Sequence, residues 1–222
     1  GFAVATPMTA APGPLKSVVL AVTIAAIGRA RTTAERLVAL DTAVLMLIGL
    51  LGPAIYMIFP VVGPVFAYGT GTDHWASIAL WSPQIPSDGH WAVANLWPEI
   101  PPPISAPHSI PFDTVTPRNC MPSLHTAWAT AIFIHSRKGP RLLRVAGTFW
   151  LIATLCATLG FGYHYGVDLI AGVVFTLTIE MAVRTYDRGW DRAGLRLTAY
   201  GTGIFVALLL SYALLPVEMG EN

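Results

Sequence analysis

The chain has 222 residues, of which 54% are hydrophobic and 11% charged, with a formal net charge of +1. A soluble domain of this size carries about 25% charged residues, and the mean hydropathy here is +0.60. These values exclude an ordinary soluble domain, and the near-zero charge removes any basis for nucleic-acid binding. What remains is an integral membrane protein built as one domain.

The first fourteen residues are rich in Ala, Pro and Thr and read as a flexible N-terminus. Gly1 in place of Met points to a trimmed or processed start, and no positively charged cleavable signal sequence is visible. Residues 15–28 follow Pro12 and Pro14 with only a short apolar run. A span needs about 20 residues, so this piece is expected at the interface or as a shortened span. Apolar helices are then predicted over 37–59, 122–136, 142–162, 166–183 and 197–215. The expectation is an all-α, polytopic membrane helix bundle of five to six transmembrane helices. A single transmembrane domain covers 15–216, and 217–222 is a C-terminal tail.

Basic residues set the orientation. Arg29, Arg31 and Arg36 precede the first long helix, and Arg137, Lys138, Arg141 and Arg144 join the second to the third. Arg184, Arg188, Arg192 and Arg196 precede the last. With alternating helices all three clusters fall on one face, which the positive-inside rule makes cytoplasmic. The connection 61–121 carries one basic residue, Arg118, and is placed outside. It holds Trp75, Trp81, Trp91 and Trp97 among many prolines. Prolines at that density oppose regular helix, and tryptophans favour the membrane boundary, so it reads as a long extracytoplasmic cap on the outer leaflet.

The two cysteines, Cys120 and Cys156, fit neither a disulfide framework nor a metal-ligand spacing. Cys156, inside an apolar helix, is expected to be a small buried residue.

The chemistry lies in two strings about forty residues apart, Met121-Pro122-Ser123-Leu124-His125 and His164-Tyr165-Gly166-Val167-Asp168. Each opens a hydrophobic helix, and the chain between them makes one trip into the membrane and one back. His125, His164 and Asp168 are therefore expected in one pocket on the outer face. Pro122 suits the first position of its helix, whose free N–H groups and dipole form an anion site. Ser123 adds a hydroxyl and Arg118 the only guanidinium of the outer face, so both are candidate phosphate-binding residues. His164 and Asp168, four apart, share a helix face. The carboxylate is expected to accept the proton of one ring nitrogen and leave the other free to attack. His125 is expected to protonate the departing oxygen and then activate an alcohol or water. Asp168 is an acid within an apolar segment, which is a functional signal by default. His135, Glu180 and Asp41, near the opposite ends of the helices, read as interhelical hydrogen-bonders.

These residues resemble the type-2 phosphatidic acid phosphatase superfamily, whose second motif is similar to Pro122-Ser123-Leu124-His125 and whose third is similar to the string from His164 to Asp168 and on to Gly172. The Pro-Ser-Leu-His spelling and the upstream Phe59-Pro60-Val61-Val62-Gly63-Pro64 resemble the branch that includes inositol phosphorylceramide synthases and other lipid phosphotransferases. The resemblance implies His164 as nucleophile, Asp168 as its orienting base, His125 as acid and base, and Ser123 on a phosphate oxygen. It also implies a lipid phosphate or phospholipid substrate, no cofactor, no metal, and a bacterial plasma-membrane enzyme with an extracytoplasmic site. Two departures stand out: Phe59 to Gly71 lacks the first-motif Lys and Arg, and Thr158 stands where the third-motif Arg is expected. They tilt the reading toward a lipid or phosphodiester donor. They also leave an alternative open, a non-catalytic lipid-binding or accessory subunit. A haem-binding subunit with His125 and His164 as axial ligands is a further alternative, but it gives the Pro-Ser lead-in and Asp168 no role.

Overall fold

The computed structural model describes residues 18, 21–22, 25–63, 118–160 and 163–214, with 212–214 as backbone only. The tryptophan-rich stretch expected as a cap, most of 61–121, lies outside the described residues, as do 1–14 and 217–222. Among the described residues, five helices carry the fold: α1 (Thr33–Ile58), α2 (Leu124–Ser136), α3 (Arg141–Gly160), α4 (Gly166–Asp187) and α5 (Arg192–Leu214). Residues 18, 21–22 and 25–29 are also helical. The all-α membrane bundle is thus what the structure has. Among the described residues, α1, α3, α4 and α5 are long and apolar enough to cross a membrane. The 13-residue α2 spans only about 20 Å.

The helix ends follow capping chemistry rather than the limits of the apolar runs. α1 begins four residues before the predicted start because Thr32 and Glu35 form a reciprocal capping box. The Thr32 Oγ1 accepts from the Glu35 amide at 3.1 Å, and Glu35 Oε2 accepts back from the Thr32 amide at 3.4 Å and also from the Arg31 amide at 2.8 Å. α4 runs past the predicted 183 because Arg184 pairs with Glu180 one turn back, at 2.6 Å. α5 starts at Arg192 because Asp191 caps it, its Oδ1 accepting from the Gly194 amide at 2.7 Å. α4 and α5 are joined through Gly189 and Trp190, both in the left-handed region at φ 82° and 63°. The Trp190 amide donates to the Thr185 carbonyl across that turn.

α4 is the axis of the bundle, packing on α1, α2 and α5, while α2 packs on α1, α3 and α4. The core runs from Leu40, Val44 and Ile48 of α1 through Ala127 and Ala131 of α2 to Phe175 and Ile179 of α4. It reaches α5 through a stacked pair, Phe175 on Phe205, with ring centroids 5.2 Å apart. Small residues at the α2–α4 seam let the backbones approach, as membrane helices require. At Gly172 a Cβ would stand 2.6 Å from the Ser123 carbonyl oxygen. α3 is peripheral and buries only Gly147 and Thr158, turning Phe149, Trp150 and Ile152 outward. This corrects the expectation for Cys156, which is exposed on α3 rather than buried. An apolar sequence does not distinguish a lipid-facing side from a protein-facing one.

Charge and site sort to opposite ends. At one end Arg36 of α1 pairs with Asp187 of α4 at 2.7 Å, and Lys138 and Arg184 both reach Asp41. His135 Nε2 stands 3.1 Å from Glu180 there. At the other end are Tyr56, Pro122, His125, His164 and Asp168.

Candidate active site

Three pieces of chain meet at that second end. After α1, Val61 forms an isolated parallel bridge with Asn119, and the Cys120 amide donates to the Val61 carbonyl at 3.1 Å. The Val61–Gly63 stretch thereby lies against the lead-in to α2. The end of α3 holds the third piece, because the amides of Tyr163 and His164 both donate to the Thr158 carbonyl, at 3.2 and 3.3 Å. Thr158 itself is buried and turns its hydroxyl back onto Thr154 of its own helix. It acts through its backbone.

The two motif strings are tied directly. The Ser123 amide donates to the Asp168 carbonyl at 3.1 Å. Ser123, not Pro122, caps α2: its Oγ accepts from the Thr126 amide at 3.3 Å, and the helix starts at Leu124. Pro122 therefore precedes the cap instead of occupying the first helical position, since a serine hydroxyl satisfies an amide that proline cannot. Its carbonyl accepts from the Tyr56 hydroxyl of α1 at 2.7 Å, and the peptide bond before it is cis.

The structure brings His125, His164 and Asp168 together. His125 is exposed, His164 is 6% exposed and Asp168 is fully buried, so the three descend from the mouth inward. His125 Nδ1 faces His164 Nε2 at 3.4 Å. The other ring nitrogen, His164 Nδ1, is 2.9 Å from the Cys120 carbonyl oxygen. Because a carbonyl only accepts, Nδ1 carries the proton and Nε2 is left with its lone pair. Asp168 was expected to be the acceptor. Its Oδ2 is 3.8 Å from Nδ1, beyond hydrogen-bond reach but near enough to offset a positive charge on the ring. That Oδ2 accepts instead from the Tyr165 amide at 2.7 Å and from the Cys120 thiol at 2.8 Å. Asp168 Oδ1 is buried and has no partner among the described residues.

Burial and the nearby Asp168 charge both push the Cys120 thiol up, so it stays protonated and donates. Burial likewise raises the Tyr163 hydroxyl. Arg118 lies two residues before Cys120, partly buried. Cys120 and Tyr56 are the contributors that sequence reasoning missed. Cys120 adjoins the Met121–His125 string, but nothing in its spacing announces the contact with Asp168.

Two clusters bring possible metal donors within 4.8 Å, Cys120–His164–Asp168 and Asp41–His135–Glu180. In the first the donors bond to each other and to the Tyr165 amide. In the second Lys138 and Arg184 already supply the positive charge.

The model of the PAP2 superfamily matches residues 15–182. The chain belongs to the PAP2 superfamily. No curated protein and no solved structure matched it. In this PAP2 chain the matched region runs through α1, α2 and α3 and nearly to the end of α4. It thus includes every residue of the cluster just described. Membership points to phosphatase-type chemistry on a phosphate of phospholipid type.

Proposed function

We propose that this chain is a membrane lipid phosphatase or phosphotransferase working through a phosphohistidine on His164. One observation carries the reading: Nδ1 of His164 is held as a donor at 2.9 Å, so the lone pair of Nε2 points toward exposed His125. A nucleophile needs such a fixed tautomer and an adjacent acid.

In this mechanism the Nε2 lone pair attacks phosphorus, and the bond from phosphorus to the lipid oxygen breaks. His125 gives its proton to that oxygen. In the second step His125 takes the proton of water or an alcohol, whose oxygen attacks phosphorus. The phosphorus–nitrogen electron pair then returns to Nε2. Asp168 offsets the charge that the ring develops. Arg118, Ser123 and the N-terminal end of α2 hold phosphate oxygens.

The basic end of the bundle is assigned to the cytoplasm and the site to the extracytoplasmic side of a bacterial plasma membrane. Residues 15–216 act as one domain. A buried threonine where an arginine was expected favours a lipid or phosphodiester donor over a free phosphomonoester dianion.

The test is to incubate purified protein, beside His164→Ala, with lipid phosphates, polyprenyl diphosphates and phosphatidylinositol. Released phosphate that vanishes in the variant establishes hydrolysis. A head group moved to another lipid alcohol establishes transfer. Identical products from both proteins overturn the reading in favour of a non-catalytic lipid-binding or accessory subunit. Vanadate, which mimics five-coordinate phosphorus, is expected to compete with substrate.

A further inference from the structure

Cys120 touches both halves of the His164–Asp168 pair and is used by neither motif. Its carbonyl accepts from His164 Nδ1 at 2.9 Å, and its thiol is 2.8 Å from Asp168 Oδ2. The thiol is also 3.2 Å from the Tyr163 carbonyl and 3.5 Å from His164 Nδ1. A thiol has one hydrogen, and Nδ1 already donates to the carbonyl. The shortest remaining contact is with the carboxylate. Cys120 is 2% exposed and its amide is tied to Val61, so neither its backbone nor its side chain is free to leave.

We propose that Cys120 is a positioning residue for the phosphotransfer reaction, orienting His164 by its carbonyl and holding Asp168 off the ring by its thiol. The inference rests on His164 being the nucleophile. Two acceptors compete for one N–H, the carbonyl at 2.9 Å and the carboxylate at 3.8 Å. With the thiol engaged, Asp168 Oδ2 has two donors, Tyr165 N–H and Cys120 S–H, and the carbonyl keeps the ring proton. With the thiol gone, the carboxylate has only the Tyr165 amide and an unfilled space beside it. It then draws the ring toward itself and turns Nε2 away from the line to phosphorus. Misplacement of a reacting atom by about 1 Å costs up to about 100-fold in rate. Cys120 is buried beneath the ring and does not meet substrate, so binding is spared.

The test uses the full chain in detergent, as wild type, Cys120→Ala and Cys120→Ser, with ring-¹⁵N histidine. The wild-type His164 signal is expected to report a proton on Nδ1. In Cys120→Ala that proton signal moves downfield as a carboxylate becomes its acceptor, and in Cys120→Ser, whose hydroxyl donates in place of the thiol, it returns. On the substrate turned over fastest among those above, Cys120→Ala lowers kcat about tenfold with KM within about twofold. Cys120→Ser recovers most of that loss.

An Nε2-protonated His164 in the wild type overturns the proposal. So does a Cys120→Ala protein with the wild-type ring signal and kcat, or a serine variant that resembles the alanine one. If Cys120→Ala does not fold, the wild-type tautomer and the serine variant still decide. Failure of the phosphotransfer reading is separate: it shows as full turnover by His164→Ala, whereas the ring signals need no turnover.

Discussion

His125 and His164 meet edge to face, with ring planes at 67°, centroids 5.6 Å apart, and Nδ1 of the first 3.4 Å from Nε2 of the second. In the proposed reaction, phosphorus bonding to Nε2 would displace His125, which now faces that nitrogen. Exposed His125 has the room to turn, whereas buried His164 is held by a carbonyl beneath it. Under the proposed mechanism the exposed ring is suited to moving protons and the held ring to bonding phosphorus.

The two rings are therefore expected to respond differently to the leaving group. His125→Gln should slow turnover of a lipid phosphate about 10²–10⁴-fold, the usual worth of general acid–base catalysis. With a p-nitrophenyl phosphodiester, whose leaving group needs no proton, phosphohistidine formation should be slowed far less. Rapid-quench measurement of the phosphoenzyme distinguishes the steps, and equal losses on both substrates would refute the assignment of His125 as acid.

Gly172 is the contact point of α4 with the start of α2, and a Cβ there would meet backbone, not a side chain that swings away. Gly172→Ala is expected to destabilise by about 1–3 kcal/mol through overpacking and to reduce activity by moving Ser123 relative to Asp168. Gly166, with nothing within 4 Å of its Cβ position, is the control, and Gly166→Ala should leave the melting temperature within experimental spread. Thermal unfolding in detergent checks both.

Asp191 lies between α4 and α5, and its carboxyl is held below the usual range by the Arg188 guanidinium and then by the Gly194 amide. A depressed folded value means that its stabilisation is present above the unfolded value of about 3.9 and is lost as pH falls through the folded one. Asp191→Asn is thus expected to melt lower than wild type near neutral pH, with the gap closing as pH falls below the usual carboxylate range. A gap that widened on acidification would contradict the linkage.

The ends of α5 also test orientation. With the basic end of the bundle in the cytoplasm, the chain leaves α5 on the side of the active site. Alkaline phosphatase fused after residue 214 should be active in a bacterial host and green fluorescent protein at the same place dark. The opposite pair of results would put His125 and His164 in the cytoplasm.

The sequence by itself determined the membrane class and the positions of the helices. Apolar runs bounded by basic clusters located the helices, because hydrocarbon leaves the backbone no other way to satisfy its polar groups. The spacing of four suggested one helix face for His164 and Asp168, but only Asp168 lies in the first turn of α4, and His164 precedes the Tyr165 cap. Tertiary structure alone decided which atoms meet. The Cys120 thiol reaches Asp168 across 48 residues, Tyr56 reaches Pro122 across 66, and Cys156 faces outward. Such contacts depend on how each helix is rotated and how far it slides along its neighbour. In an apolar bundle the hydrophobic pattern runs nearly all round each helix and does not specify that rotation. Close packing at small residues such as Gly172, and hydrogen bonds such as that between the Ser123 amide and the Asp168 carbonyl, set it instead.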